Sequence, residues 1–431
     1  MTRTTAATSD SVSSSFYPAL DRTIRAMDES VHYLHIGAVI ELGGAPPRAD
    51  AVLDHVRRRL PLLPPLADCH DHLASHVREL PVPGCRSGDW ARAYDALVDS
   101  PAPACAQRPW AVWLVAAGDG DGYLLCYRAH HALHDGVSLM RLIRLLFART
   151  EPAAPAAPAV PSAPSAPVPP APERHKAPPA LGVRVGGRLR TAADSTRLLV
   201  RAPRRPLLPG ALDGRRVLTS AVVPVARLRA AARALECSVL DLHVAALTRV
   251  AEDADPTGWT AEGRRTRGIV LPVSLDAGGV TPYAGNRFAL ALVDPPWGRR
   301  DLGERAAILA GRTRRLRDPG IRWAMGQAMG RLGVAGVGTL SGRVFARAGM
   351  QTTVLGCTAD LGFAGRRAER LTNLNCLPAP FPYQPALTLW RDEAVCSFTA
   401  DTALPAAEKL ADLWLRAIDV LAPPAPSAST A

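Results

Sequence analysis

The segment Tyr123–Ser138, YLLCYRAHHALHDGVS, concentrates the side chains best suited to proton chemistry. It reads as a β-type run ending in His130-His131, followed four residues later by Asp135-Gly136 and then a helix. A histidine at a strand end can present its ring to a cleft while the strand holds it rigid. Imidazole has an ordinary pKa near ~6.5, so it can take a proton from an alcohol or amine and later return it. An aspartate just before a helix can cap amides or pair with an arginine without touching substrate. The adjacent glycine permits a tight turn or a close backbone approach. Two neighbouring histidines alone carry little information. The full spacing at a strand-to-helix junction is far more specific.

The surrounding chain supplies elements to position these residues. His32–Leu42 reads as a strand, and Pro46, Pro47 and Asp50 open a helix after it. Val52, Leu53, Val56 and Leu60 fall on one face of that helix, with Arg57, Arg58 and Arg59 largely outside it. Trp110–Ala116 and Tyr123–His130 form a hairpin around GDGDG, and Val137–Arg149 is helical. The Pro/Ala-rich run over 151–180 cannot hold a helix or a central strand, so it is expected to be an extended linker. A basic connector follows to about residue 210. The second half restarts with a strand at Arg216–Val223, a helix from Val225, and a capping-box-like Ser238-Val239-Leu240-Asp241. Ile269–Leu275 and Phe288–Val293 read as buried strands, Pro385–Trp390 and Ala394–Ala400 as a hairpin, and Pro405–Leu421 as a final helix. In Ile321–Met350 small residues alternate with Met325, Met329, Leu332, Val337 and Phe345, which suits close helix packing or the wall of an acyl tunnel. The resulting division is a tail over 1–15, a lobe over 16–150, linker and connector over 151–210, a second lobe over 211–421, and a tail over 422–431.

Composition bounds the function classes. With 48% hydrophobic and 21% charged residues, the 431-residue chain is globular rather than disordered. No apolar run reaches the ~18 residues of a membrane span. The polar start lacks a signal-peptide core, so a cytoplasmic location is expected. The eight cysteines form no Cys-x-x-Cys pair, which argues for reduced structural thiols. Net charge is +12, carried almost wholly by arginine, since Lys176 and Lys409 are the only lysines. Such charge favours anionic partners: phosphorylated cofactors, acidic carrier proteins or a membrane surface. Nucleic acid is not expected, because no zinc-finger or RNA-binding motif accompanies the charge.

His130-His131-x-x-x-Asp135-Gly136 resembles the motif of acyltransferases related to chloramphenicol acetyltransferase, peptide-synthetase condensation domains and plant acyl-CoA transferases. The flanking segments are similar to bacterial wax ester synthase/diacylglycerol acyltransferases in particular. These are His35-Ile36-Gly37-Ala38, the stretch from His76 to Gly84, Pro109-Trp110, Pro272-Val273-Ser274 and Gly285-Asn286-Arg287. The resemblance covers about 20–421 and is poor across 150–210. It implies an α/β (α+β) fold of two chloramphenicol-acetyltransferase-like lobes, a pseudo-dimer with a tunnel at the interface. It also implies acyl transfer from acyl-CoA or an acyl-carrier protein to an alcohol or amine. His131 is then the general base, Asp135 a structural partner, His130 a supporting residue and Gly136 a turn residue. Backbone amides near Gly136 or the Asn286 side chain are the candidate oxyanion donors. Arg287 is a candidate for binding phosphate or pairing with Asp135. CoA enters as substrate, and no cofactor is expected.

The chain departs from that family in two places. Leu240 precedes Asp241 where an asparagine is usual, and Thr352-Thr353-Val354-Leu355-Gly356-Cys357 replaces a Ser-Asn-Val-Pro-Gly-Pro stretch. These changes bear on the acceptor more than on the chemistry, and a role in natural-product tailoring fits them. Cys69-His70-Asp71-His72 with His76 has metal-like content, but the nearby prolines oppose a long helix, so no metal is expected. His134 is expected to be solvated, and His243 to face the helix surface or core.

Overall fold

The computed structural model describes residues 18–28, 34–63, 66, 70–100, 110–150, 212–254, 268–275, 285–298, 301–377 and 381–423. The expected linker over 151–210, the N-terminal tail and residues 107–109 lie outside these. Ala422, assigned from sequence to the C-terminal tail, is instead buried against the second core.

The first half gives α1 (Pro18–Asp28), β1 (His35–Gly43), α2 (Ala49–Arg59), β2 (Val77–Glu79) and α3 (Ala91–Asp99). It continues with β3 (Trp110–Ala116), β4 (Gly122–His130) and α4 (Gly136–Phe147). In β1, Ile36, Ala38, Ile40 and Leu42 enter the core beneath α2 and α4, while Val39 enters the core beneath α3. With both faces covered, the strand reads as a continuous apolar run rather than an alternating one. Arg128, on the α3 side of β4, donates to the carbonyls of Leu97 (2.7 Å) and Ser100 (2.6 Å) and so caps the C-terminus of α3.

The second half gives β5 (Arg216–Pro224), α5 (Val225–Ala234), α6 (Val239–Ala254), β6 (Gly268–Ser274), β7 (Phe288–Val293) and α7 (Leu302–Thr313). Then come α8 (Pro319–Phe345), β8 (Ala348–Gln351), β9 (Thr353–Cys357), β10 (Gly362–Phe363), β11 (Arg366–Leu374), β12 (Tyr383–Trp390), β13 (Glu393–Asp401) and α9 (Leu410–Leu421). The capping box at Ser238 forms as read: Asp241 Oδ2 accepts from Ser238 N, and Ser238 Oγ accepts from Asp241 N. α8 is kinked at Gly333, whose φ of 62° favours glycine. Its Met325 packs on the second core and its Met329 on the first, so the helix bridges both.

Three sheets result, in the orders β10-β11-β1-β4-β3-β2, β5-β13-β12-β9 and β7-β6-β8. The architecture is the mixed helix-and-sheet, two-lobed one. One boundary needs correction: β10 and β11 follow the linker, yet they complete the first-half sheet. β11 runs antiparallel to β1 with Gly37 opposite Leu374 and Ile40 opposite Leu371. Chain position alone therefore misassigns residues 362–374 to the second lobe. Between the halves, α3 packs on β5, where Asp95 Oδ1 accepts from Leu218 N (2.8 Å). Among the described residues no helix is long and apolar enough to cross a membrane.

Candidate active site

β4 delivers the histidine pair to the end of the first sheet, and the chain then turns into α4. His130 lies opposite His35 of β1, the two rings meeting edge to face at 5.3 Å. Its Nδ1 accepts the amide of Ala132 (3.0 Å), and the residue is buried away from the cavities below. His130 thus shapes the turn and lines neither of the two cavities described below. His131 N donates to Leu34 O (2.7 Å), pinning the turn to the start of β1.

The His131 ring is oriented by the other half of the molecule. Asn286 Nδ2 donates to Asp21 Oδ1 (2.8 Å) and to the His131 carbonyl (2.8 Å). Both amide hydrogens are thereby used, and Asn286 Oδ1 faces His131 Nδ1 at 3.1 Å. An amide oxygen can only accept, so Nδ1 carries the proton and Nε2 holds the lone pair. Burial pushes the His131 pKa below its ordinary value, opposed by the ring's bond to its own backbone, the Asp135 charge, Asn286 and the Asp21 charge. The neutral, basic form is the one present near pH 7.

Asp135 caps α4 by accepting from Ser138 N at Oδ1 (2.8 Å), and its Oδ2 accepts from Arg287 N (2.8 Å). Its carboxylate therefore joins the motif turn to the Gly285–Arg287 segment through backbone amides. Arg287 meets Asp135 with its backbone N–H rather than its guanidinium. Neither Asn286 nor Arg287 lines either of the two cavities described below. Both side-chain N–H groups of Asn286 already have acceptors, so it has none to offer an oxyanion in this arrangement. Gly136 does line the cavity, at the first position of α4, and a Cβ there would press on Leu355 Cδ2 at 2.9 Å.

Two cavities meet at His131. The larger, about 240 Å³, runs from Ile36 and Gly136 past Leu240 to Arg317 and Arg322. The smaller, about 50 Å³, lies between α1, α8 and β7 and is walled by Leu20, Ile24, Leu290 and Phe345. His131, Phe288, Gln351 and Cys376 border both. Burial raises the Cys376 thiol to about 12, so it is not a ready nucleophile. Of the Ile321–Met350 stretch, Ser341 and Phe345 border the smaller cavity, Val337 and Val344 are buried, and Trp323, Leu332 and Leu340 are exposed.

The larger cavity also carries Gln351, Asn373, Asn375 and Gln384 on one wall. Gln351 Oε1, Asn373 Oδ1 and Gln384 Oε1 find no hydrogen-bond partner among the described residues, although each side chain is more than nine-tenths buried. An unpaired buried acceptor costs about 1–3 kcal/mol.

Three other histidines are held in the packing. His134, expected to be solvated, is fully buried: its Nε2 meets Tyr127 Oη at 3.1 Å, and burial depresses its pKa to about 3. His76 stacks on Trp110 (4.3 Å), Trp110 on Tyr127 (6.1 Å), and Tyr127 lies beside His134 (5.6 Å). This column supports the motif turn from beneath and accounts for the family-like His76 and Trp110 segments. His243 accepts from Trp414 Nε1 (3.1 Å) and donates to Thr352 Oγ1 (3.0 Å), again with a pKa near 3 from burial. Asp241 is buried against Arg317, Thr313 and Ser238, and its neighbour Leu240 turns an apolar side chain to the cavity. Asp21, Phe288, Gln351 and Cys376 carried no signal in the sequence, because their roles arise only from distant contacts.

The chain has the two-lobed fold and carries the His-His-x-x-x-Asp-Gly motif at its strand-to-helix turn. More narrowly, residues 66–243 match the wax ester synthase/diacylglycerol acyltransferase catalytic domain. The chain is similar to a wax ester synthase/diacylglycerol acyltransferase from Marinobacter aquaeolei, at 16% identity and TM-score 0.61 over 95% of this chain and 98% of that one. It is also similar to the first condensation domain of the calcium-dependent antibiotic synthetase, at 16% identity and TM-score 0.58 over 96% of each chain. A trichothecene 15-O-acetyltransferase from Fusarium sporotrichioides matches at 10% identity and TM-score 0.61, over 93% of this chain and 94% of that one. No curated protein sequence matches the chain.

Proposed function

We propose that the protein moves an acyl group from a thioester, acyl-CoA, to the hydroxyl of a small-molecule acceptor, with His131 Nε2 as general base. The observation that carries this reading is the Asp21–Asn286–His131 chain of contacts, which leaves the imidazole lone pair at Nε2 on a ring bordering two cavities. Donor and acceptor then meet beside His131, where the two cavities adjoin. Nε2 takes the hydroxyl proton as the oxygen attacks the thioester carbonyl. The tetrahedral oxyanion collapses, the C–S bond breaks, and the imidazolium returns the proton to the leaving thiolate. Ester and free thiol are the products, and no acyl-enzyme forms. Proton transfer of this kind contributes about 10²–10⁴-fold in rate. The N-terminus of α4, where Gly136 and Val137 border the cavity, supplies favourable partial charge for the oxyanion.

A carrier-protein-bound donor, with an ester or amide as product, is the second reading. The arginine-rich turn after α7 is compatible with it: Arg314, Arg315 and Arg317 lie there, Arg317 lines the larger cavity, and such charge suits an acidic carrier as well as CoA phosphates. Location in the cytoplasm, with or without contact to a membrane surface, belongs to the same proposal. The test is release of free thiol from an acyl-CoA in the presence and absence of alcohols. Acceptor-dependent release with ester formation supports the first reading. No release from CoA, but transfer from a loaded carrier protein, establishes the second. Failure with both donors overturns the proposal.

A further inference from the structure

We infer that the acceptor is a neutral, polyhydroxylated molecule rather than a simple long-chain alcohol, an inference that rests on the acyl transfer proposed above. Its carrier is the carboxamide wall of the larger cavity. Gln351 comes from β8, Asn373 from β11, Asn375 from the turn beyond it and Gln384 from β12, so three strands and a turn converge their amides on one surface. Part of the set is mutually ordered: Asn373 Nδ2 donates to Asn375 Oδ1, and Asn375 Nδ2 to Gln384 O (3.2 Å). Packing thus holds the amides in place while three oxygens have no partner among the described residues.

Those oxygens are acceptors, so the complementary ligand brings O–H or N–H donors. Charge selects between the two. The nearest carboxylate on the cavity, Asp135, has its two oxygens engaged by the amides of Ser138 and Arg287, and the charged groups at the far end are Arg317 and Arg322. An ammonium group gains no counter-ion there, whereas a neutral polyol meets the wall and also offers His131 an acidic O–H. Gln351 borders both cavities next to His131, so it is placed to read a hydroxyl beside the reacting one. A site with buried polar groups discriminates strongly against an analogue that lacks their partners.

The test uses octanoyl-CoA as donor, with 1-octanol and 1,2,3-octanetriol as acceptors of equal chain length. The full-length protein is expected to use the triol with at least about tenfold higher kcat/KM, and Gln351→Met to cut that ratio about tenfold. Asn373→Leu serves the same purpose if Gln351→Met does not fold. Equal use of the two acceptors, or a preference that the variants leave unmoved, overturns the inference and leaves the amides to water. A raised KM for octanoyl-CoA with an unchanged acceptor ratio also overturns it, because the wall then reads the donor's own amides. Should no acceptor release thiol, the acyl-transfer reading fails separately, and the polar subsite is judged by Tm. A triol-dependent rise that Gln351→Met abolishes sustains the subsite, and no rise in the wild type overturns it.

Discussion

In the proposed mechanism Asn286 acts on the proton chemistry through the His131 ring. Its amide is locked by Asp21 and the His131 carbonyl, so only one tautomer of the imidazole fits. Replacing it with leucine removes that lock and the Nδ2 hydrogen bond to Asp21. A hydrogen bond of this kind contributes about 1–3 kcal/mol, so kcat for Asn286→Leu should fall about 10–100-fold with little change in KM. Asn286→Asp gives a sharper reading. A carboxylate beside Nδ1 stabilises the imidazolium, so the acid limb of the kcat/KM profile, below pH 6.5 in the wild type, should move upward. An unmoved limb would show that Asn286 is mere packing. Asp135 acts differently, holding Ser138 N and Arg287 N. Asp135→Ala should cost about 2–4 kcal/mol in urea unfolding, from a lost helix cap and a lost charged hydrogen bond. A variant of full stability but no activity would place Asp135 in the chemistry itself. His131 and Asp135 were legible in the sequence because their spacing is local. Asp21 was not, since its contact with Asn286 spans 265 residues. The role proposed for Asn286 was illegible for the same reason: it depends on which distant neighbours take its N–H groups.

Most elements that hold the site were legible from their patterns. β3, β4 and β7 follow their apolar runs, and α2 buries the Val52 and Val56 face that its spacing specified. Partners were less legible than elements. β11 is an alternating strand that fits any open edge, and only the fold places it beside β1. Gly37 shows what that packing demands. A Cβ on this residue would run into the backbone carbonyl of Tyr127 on β4, an atom that cannot swing aside as a side chain could. Gly37→Val should therefore destabilise the protein by at least about 2 kcal/mol and lower activity with it, because β1 also anchors His131 through Leu34. Wild-type stability in Gly37→Val, measured by denaturant unfolding, would show that β1 and β4 separate more freely than drawn. The kink of α8 had only glycine content to announce it, and nothing local marked Gly333 among its neighbours.

At the scale of the whole molecule, the lobes share elements rather than sitting side by side. β10 and β11 cross into the first sheet, α8 packs on both cores, and the site is assembled from α1, β4 and the segment before β7. The two-lobed outline came from family resemblance, whereas the crossing required tertiary contacts. Buried histidines give this assembly a pH dependence. His134 and His243 have pKa values near 3 in the folded protein, and the ordinary value of about 6.5 applies once unfolded. The unfolded state then binds more protons below pH 6.5, so their stabilising contribution is complete above that pH and lost as pH falls toward 3. Between pH 7.5 and 5.5 each histidine should remove about 1.4 kcal/mol. His134→Gln and His243→Gln should flatten the slope of urea-unfolding stability against pH. An unchanged slope would show that these rings are protonated in the folded protein.

The central claim is that His131 is the base for acyl transfer. It is tested most directly by comparing acceptor-dependent thiol release from an acyl-CoA, or from a carrier-bound donor, in the wild type and in His131→Ala, with folding verified by unfolding curves. A loss of at least about 100-fold in kcat at unchanged stability, and no acyl-enzyme by mass spectrometry, is the expected result. Activity retained within tenfold, or a covalent acyl adduct on any of the eight cysteines, would contradict it.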